Sequence, residues 1–391
     1  MIYFDHNASS PMHPRARAAI ESLSERRLGH PQSLHQAGRL AAQTLEELTT
    51  KLWKWMGPLI DTDPTPAVIW STSGSAANRA ALTALARHKQ TGGRGSANRI
   101  IVSSVEHPCV LSAASLLAGD AHRIERLAVD QSGQVDLDHL AQLLRSPARC
   151  VAVQWVNHET GRIQPIQRIH TMCAEADVPL HVDGVQGFGK LDTTAVRCQS
   201  FVFSAHKFGG PRGLAAWIVD RRFLPPEMSD WQSGSPPIEL LGGAIEALEV
   251  SLDSETRSRL SAWRDRIEAT LRSAHPTMIV HAAEAPRVDQ TSNIAFPPVD
   301  RQLLLMALDL EGLCCSAGAA CASGSPEPSP TLQAMGVDGA IIESSIRLSL
   351  GITTTQSDIE QGIEILVRVL DRLRSTPSHG RAAPNRSENP L

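Results

Sequence analysis

The sequence predicts an α/β protein whose main sheet is mostly parallel. Short apolar runs typical of buried strands, such as 150–156 and 201–203, alternate with segments of helical character. This βαβ alternation favours a parallel sheet with helices on both faces. Asp183 and Lys207 stand where two of the apolar runs end. Because ligands bind at the carboxyl edge of the strands in such sheets, the sequence predicts a functional site at that edge.

Composition narrows the class of protein. The chain has 391 residues, enough for two domains and a large core. A formal net charge of −4 gives no reason to expect nucleic acid binding. No apolar stretch approaches the roughly 20 residues of a membrane span, and the amino terminus lacks a signal-type apolar segment. Seven cysteines, without the paired spacing of a zinc site, favour reduced thiols, a cytoplasmic location and no metal centre.

The first third of the chain contains a candidate anion site. The predicted strand 67–70 leads through a turn of small residues into an Ala/Leu-rich helix. The start of such a helix offers free backbone N–H groups and the positive end of its dipole to a phosphate. Ser75 and Ala76 stand at this start. The pattern is weak by itself, because many strand-to-helix turns look alike.

Two further polar residues follow predicted strands. His107 comes after the run at 100–102, and its ring could relay protons, because an imidazole titrates near neutrality. A lone histidine after a strand is more often a structural residue. Asn157 directly follows the run 150–156. Both positions add side chains to the same predicted edge of the sheet.

Lys207 is poorly placed for an ordinary surface charge. Burial lowers the pKa of an amine and makes it nucleophilic, as Schiff-base chemistry with an aldehyde requires. The alternative is a lysine that ends a strand and extends to water. Asp183 could likewise be only a helix N-cap. The combination of Asp183, Gln186 and Lys207 on neighbouring strand ends is more specific than any of them alone.

The second half of the chain adds two candidates. The pattern predicts one long helix over 237–274 and a smaller α/β unit over 276–353, which is closed by a helix at 356–374.

Cys321 lies among alanines, serines and glycines, which predicts a mobile loop with a usable thiol; the alternative is a small buried side chain. Arg347 lies between apolar residues of a predicted strand, where an unpaired charge is costly. It predicts either a bound carboxylate or a structural salt bridge.

Three segments carry a resemblance to a known family: HVDGVQGFGKL, FSAHKFGGPRG and CCSAGAACASGSPEPS. They resemble the cofactor core and the cysteine loop of cysteine desulfurases, within the class V aminotransferase family. The similarity runs from Tyr3 to about Arg374.

The resemblance implies a fold type I PLP-dependent transferase, where PLP is pyridoxal 5'-phosphate. Its large domain, 15–250, would hold a mostly parallel seven-stranded sheet. A smaller α/β domain would combine 1–14 with 251–375 and carry the cysteine loop. We expect the tail 376–391 to be disordered, because it is polar and rich in proline.

The resemblance also implies catalytic roles. Lys207 would bind the cofactor covalently and move the proton of the substrate's α-carbon. His107 would stack on the cofactor ring and take part in catalysis. Arg347 and Asn157 would orient the substrate carboxylate. Cys321 would attack the substrate sulfur as a thiolate and become a persulfide.

Further residues are implied in holding the cofactor. Asp183 would keep the pyridine nitrogen protonated, and Gln186 would hydrogen-bond the ring hydroxyl. Asn157 would contact the cofactor as well as the substrate. The phosphate would be held by Ser75, Ala76, Ser204, His206 and the partner subunit's Ser235. The shared phosphate site implies a homodimer.

Some features depart from the family's pattern. Ala76 and Ala77 stand where Thr and Glu are usual, His158 replaces a second Asn, and the segment 225–237 is shortened. Two alternatives to a desulfurase therefore stay open. One is a related class V enzyme, such as a selenocysteine lyase or an aminotransferase; the other is a non-catalytic paralogue that acts as a binding partner. For a desulfurase, the resemblance implies L-cysteine as the substrate and a sulfur-acceptor protein, such as an iron–sulfur scaffold.

Overall fold

The computed structural model of the protein describes most of the chain. The described ranges are 1–57, 59–60, 66–88, 98–119, 122–194, 196–226, 236–318 and 327–375. Cys321, Ser235 and the tail 376–391 therefore lie outside the described residues.

The strands, numbered in chain order, form three sheets. They are β1 (Ile2–Tyr3), β2 (Ala67–Ser71), β3 (Arg99–Ser103), β4 (Arg123–Leu127), β5 (Cys150–Gln154), β6 (Leu180–Asp183), β7 (Ser200–Ser204), β8 (Ala215–Val219), β9 (Ile279–Val280), β10 (Thr291–Ala295), β11 (Leu313–Cys314) and β12 (Ser345–Ser349). The largest sheet has seven strands in the order β2-β8-β7-β6-β5-β3-β4. Strand β8 runs antiparallel to both of its neighbours, and the other pairs are parallel.

The helices pack around this sheet and around the smaller sheets. They are α1 (Pro14–Ser24), α2 (Gln36–Met56), α3 (Gly74–Arg87), α4 (Pro108–Gly119), α5 (Leu137–Leu143), α6 (Ile166–Glu175), α7 (Ile238–Ser251), α8 (Ser254–Ala274), α9 (Arg301–Leu310), α10 (Pro330–Ala334), α11 (Gly339–Ile342) and α12 (Gln356–Ser375). The predicted mostly parallel seven-stranded sheet in an α/β fold is confirmed.

The prediction of one helix over 237–274 is wrong. The chain leaves the helical path between α7 and α8, where the side chain of Asp253 accepts a hydrogen bond from the N–H of Thr256 at 2.8 Å. Asp253 thereby caps the start of α8. The break lets α7 pack against α1 in the large sheet's layer while α8 packs against α12.

A second core lies beside a smaller antiparallel sheet of β9, β10 and β12. Strand β1 pairs in parallel with β11, so Ile2 and Phe4 are buried in this second core. The domain limits at 15–250, 1–14 and 251–375 stay predictions. Within the described ranges, none of the helices combines the length and apolar character needed to cross a bilayer.

Candidate functional site

The carboxyl ends of neighbouring strands bring the predicted residues together. Strand β6 ends at Asp183, and β7 continues into a 3₁₀ turn, Ala205–Lys207. The glycine after Asp183 is required by packing, because a Cβ on Gly184 would lie 2.0 Å from the Phe201 ring of β7. Burial raises the pKa of Asp183 and lowers that of His107, and the charge of Lys207 acts on both groups in the downward direction, so the three groups interact in one site.

The amine of Lys207 is held by the amino-terminal segment. Its Nζ donates to the backbone oxygens of Asn7, at 2.8 Å, and Ala8, at 2.9 Å. These two carbonyl oxygens orient the amine. Sequence reasoning missed Asn7, because its contact with Lys207 joins residues that are 200 positions apart.

Asp183 is a buried carboxylate with two N–H donors. Its Oδ1 accepts from the N–H of Val185 at 3.0 Å and its Oδ2 from Nδ2 of Asn78 at 2.8 Å. Burial nevertheless raises the pKa of Asp183 to about 6 from an ordinary 3.8. An ionised carboxylate here is short of positive charge, and a cationic ring nitrogen would supply it.

Asp183→Asn has an expected effect on the cofactor-free protein that depends on pH. Because the folded-state pKa of Asp183 is raised, ionisation of its carboxyl destabilises the fold above about pH 6, and this cost disappears as the pH falls toward 4. The free energy of unfolding of Asp183→Asn minus that of the wild type should therefore increase by about 2 to 3 kcal/mol between pH 4 and pH 8. Urea titrations at both pH values measure it. A difference independent of pH would contradict the raised pKa.

Gln186 is held between Asn7 and Lys190, a buried lysine. Its Oε1 accepts from Nζ of Lys190 at 2.6 Å, and its Nε2 donates to the backbone oxygen of Asn7 at 2.8 Å. A backbone oxygen can only accept, so Asn7 fixes which end of the amide is nitrogen. Burial lowers the pKa of Lys190 well below its usual value, and the charge of Lys207 adds to this effect. Sequence reasoning had not assigned Lys190 to the site.

His107 enters the site as a neutral ring. Burial first, and then the charges of Lys207 and Arg347, lower its pKa to about 4. Its Nδ1 accepts from the N–H of Cys109 at 3.2 Å, and its ring lies edge-on to that of His158 with 5.1 Å between centroids. His158 is fully buried, which lowers its pKa well below the usual value. The histidine that departs from the family's pattern thus lies directly beside His107.

The predicted anion site lies at the start of α3. Ser73 caps this helix, because its Oγ accepts from the N–H of Ala76 at 3.2 Å. An anion bound here would therefore accept the N–H of Ala76 together with the Ser73 hydroxyl, or in its place. Ser75, the neighbouring residue, is exposed. A Cβ on Gly74 would lie 3.4 Å from Cβ of Ser204, so this turn and the end of β7 are adjacent.

Ser204 and His206 complete that end of the site. The Oγ of Ser204 is buried and has no hydrogen-bond partner among the residues that the structure describes. A buried hydroxyl without a partner costs free energy, which a phosphate oxygen could recover. The ring Nδ1 of His206 pairs with Oγ of Ser9 at 3.1 Å, and burial lowers the pKa of His206 to about 4.

Arg347 is both paired and available. Its Nη2 lies 2.7 Å from Oδ1 of Asp5, and its Nη1 donates to the backbone oxygen of His158 at 2.9 Å. The Nε is buried without a partner in the described part of the chain. The structural salt bridge considered from the sequence therefore exists, and the Nε–H is among the donors that remain.

Asn157 is mostly committed to local structure. Its Oδ1 accepts from the N–H groups of Glu159 and Thr160 at 2.9 and 2.8 Å, and its Nδ2 donates to the backbone oxygen of Val105 at 3.2 Å. Since an amide nitrogen carries two hydrogens, one donor remains for a ligand.

Cys109 belongs to the site as well as to the core. Its thiol packs against the apolar cluster between α3 and α4. It also interacts with Ser75, Asn78 and Asp183, and burial raises its pKa to about 12. A thiol with such a pKa is protonated and unreactive near neutrality.

Comparisons with known proteins agree with this geometry. The family model described as aminotransferase class V matches residues 2–361. The chain is 32% identical over 393 residues to the IscS-like cysteine desulfurase of Mycobacterium tuberculosis, with 96% of this chain and 97% of the relative covered. It is 30% identical over 388 residues to cysteine desulfurase 2 of Trichormus variabilis, with 96% and 94% covered.

A solved structure extends the match to three dimensions. The NifS-like protein from Rickettsia africae superposes with a TM-score of 0.81 at 27% identity, covering 95% of this chain and 99% of that one. Family, relatives and structure thus match nearly the whole length. The chain belongs to the class V aminotransferase family, in the group of the cysteine desulfurases.

Proposed function

We propose that the protein is a PLP-dependent cysteine desulfurase, which converts L-cysteine to L-alanine and transfers the sulfur to Cys321. One observation carries the proposal: Lys207 and the buried Asp183 stand at neighbouring strand ends and interact electrostatically. The relatives that match this chain over nearly its whole length are named cysteine desulfurases, which supports the choice of reaction.

The residues present fit PLP. The unpartnered hydroxyl of Ser204 and the start of α3 suit its phosphate. Asp183, whose ionised form is destabilised by burial, suits a protonated pyridine nitrogen. The donor Nε2 of Gln186 suits the ring hydroxyl, and Lys207 provides the amine for the aldehyde. Ala76 lacks the hydroxyl of the threonine that is usual at this position in the family, but the backbone N–H groups at the start of α3 can still bind the phosphate.

Lys207 and His107 would share the proton chemistry. When bound, PLP supplies an electron sink for the electrons left as the substrate's α-proton departs. Lys207, held at the site by Asn7 and Ala8, would take that proton on Nζ. His107, neutral because of its low pKa, would stack on the ring and could accept a proton in turn.

Arg347 would bind the substrate carboxylate together with the remaining donor of Asn157. Asp5 and the backbone oxygen of His158 fix two of its guanidinium nitrogens, so the fork is held before substrate arrives. Burial excludes water and strengthens the pairing.

The remaining proposals concern sulfur delivery and assembly. The Cys321 thiolate would attack the substrate sulfur, forming the S–S bond of a persulfide as the Cβ–S bond of the substrate breaks. The electron pair of that bond would stay with the substrate carbon, which takes up a proton to give alanine. The sulfur would pass to an acceptor protein, such as an iron–sulfur scaffold. We keep the homodimer, with the partner subunit's Ser235 at the phosphate, as part of the proposal. The six cysteines that the structure describes form no disulfide, which supports a reducing, cytoplasmic environment.

The direct test is the reaction itself. Purified protein loaded with PLP should form alanine from L-cysteine, with sulfide released when a thiol reductant is present. L-selenocysteine is the comparison substrate, since much faster turnover of it would indicate a selenocysteine lyase. Transfer of the amino group to an added keto acid would indicate an aminotransferase. A protein that takes up no PLP would support the non-catalytic alternative.

A further inference from the structure

A chain of buried hydrogen bonds lies behind Asp183. Nε1 of Trp217 donates to Oγ of Ser200 at 2.8 Å, and this hydroxyl lies 2.8 Å from Nδ1 of His181. Nε2 of His181 lies 3.0 Å from Oδ1 of Asn78, whose Nδ2 donates to Asp183. Trp217, Ser200 and His181 are 0% exposed and Asn78 is 1% exposed. We call these five residues the Trp217–Asp183 chain.

The direction of the chain follows from its first member. An indole nitrogen can only donate, so Ser200 Oγ accepts from Trp217. If His181 Nδ1 also donated to this oxygen, the hydroxyl hydrogen of Ser200 would be buried without an acceptor, at a cost of about 1 to 3 kcal/mol. Ser200 therefore donates to Nδ1 of His181.

The remaining links follow in turn. Burial lowers the pKa of His181 to about 3, so its ring is neutral and carries one hydrogen, on Nε2. That hydrogen is donated to Oδ1 of Asn78, which turns Nδ2 of Asn78 toward the carboxylate of Asp183. Every hydrogen bond then points from Trp217 toward Asp183, and bonds aligned in this way polarise one another.

We propose that the Trp217–Asp183 chain is a positioning device that holds the Asp183 carboxylate ionised and aimed at the ring nitrogen of the cofactor, with His181 in the Nε2–H tautomer. The role toward the cofactor rests on the proposed function, whereas the tautomer of His181 follows from the hydrogen bonds alone. The sequence offered no signal for it, because the members come from α3, β6, β7 and β8.

Other titratable groups in the described part of the chain also act on this carboxylate or respond to it. Lys207, at the end of β7, favours its ionised form. Burial first, and then the charge of Asp183, raise the pKa values of Glu106, after β3, and Cys109, on α4. These three groups stay in place when the Trp217–Asp183 chain is interrupted, so a change in pH dependence would report the chain.

The first test uses the cofactor-free protein. Long-range 1H–15N spectra of protein labelled with [15N]histidine distinguish the two neutral tautomers, and the signal absent from His181→Gln identifies His181. We expect Nε2 protonated and Nδ1 unprotonated, without titration between about pH 8 and pH 5 because the pKa lies near 3. The Nδ1–H tautomer, or titration near neutrality, would overturn the proposal whatever the enzyme's activity.

The second test measures PLP affinity as a function of pH. In His181→Leu the Asn78 amide loses the hydrogen bond that orients and polarises it, so it stabilises the ionised Asp183 carboxylate less well. The midpoint of the acid limb should therefore move up by about one pH unit, with affinity near pH 6 reduced about tenfold. His181→Gln keeps an acceptor and a donor in the same direction and should restore most of the loss. Trp217→Phe, which removes only the first donor, should shift the midpoint less but in the same direction.

A matched control separates this role from packing. His281 is also a buried histidine paired with a serine, Ser345, at 3.0 Å. His281→Leu should reduce stability without moving the midpoint. If His181→Leu loses PLP affinity equally at every pH, the Trp217–Asp183 chain has only a packing role. If His181→Leu does not fold, an unchanged pH midpoint in Trp217→Phe leads to the same conclusion. Failure of the wild type to bind PLP would refute the proposed function and leave the tautomer result intact.

Discussion

Lys207→Ala should abolish covalent attachment of PLP and reduce alanine formation from L-cysteine by roughly 10²- to 10⁴-fold, the usual contribution of a positioned general base. The described site offers one other buried amine, that of Lys190, but its Nζ is engaged by Gln186 at 2.6 Å. Borohydride reduction followed by peptide mass analysis locates the attachment. The wild type should carry the cofactor on Lys207.

Lys190→Met is the matched control for this experiment. The variant removes the buried lysine that donates to Gln186, but the cofactor should stay attached to Lys207. Attachment to Lys190 in the wild type, or full activity in Lys207→Ala, would refute the assignment of the amine.

Cys321→Ser should stop sulfur transfer while earlier steps continue. Substrate binding and α-proton removal use Lys207 and Arg347, so L-cysteine should still change the absorption spectrum. A serine hydroxyl is hardly ionised near neutrality and is a poor acceptor of sulfur. We therefore expect neither alanine nor persulfide above about one thousandth of the wild-type rate. Rapid-scanning absorbance and a persulfide-trapping reagent measure the two stages separately.

Cys109→Ala is the control for this variant. Cys109 is a thiol within the described site, but burial and the charge of Asp183 raise its pKa to about 12. The variant should still form persulfide on Cys321. Sulfide production by Cys321→Ser at the wild-type rate would show that the thiol is not required, and the reaction would then be that of a lyase without a protein nucleophile.

The parts of the site that the sequence predicted are those carried by single strands. An apolar run followed by Asp183 or Lys207 shows both the strand and the residue at its end, and the parallel topology places such ends together. The family and the fold predicted from these segments are confirmed. The break at Asp253 had a local signal, an aspartate followed by a new helical segment, which was overlooked.

The parts that the sequence could not predict depend on contacts between distant segments. Asn78 is a helix residue whose role comes from lying 2.8 Å from Asp183, and their separation in sequence is 105 residues. Lys190 is close to Gln186 in sequence, but its burial, which sets its pKa, is a tertiary property. Neither residue has a spacing that distinguishes it from ordinary core or surface positions.

The amino-terminal segment has a consequence for the order in which the protein matures. Asp5 pairs with Arg347, and the N–H of Asn7 donates to Ser349 Oγ at 2.9 Å, each across 342 positions of sequence. The same segment holds Lys207 through Asn7 and Ala8. On the ribosome these residues emerge 342 positions before Arg347 and Ser349. The large sheet can form before strand β12 is made, but the amino-terminal segment acquires its contacts with Arg347 and Ser349 only after residues 345–349 have been synthesised. Cofactor capture at a fully supported site therefore waits for a contact between two segments that lie far apart in the chain.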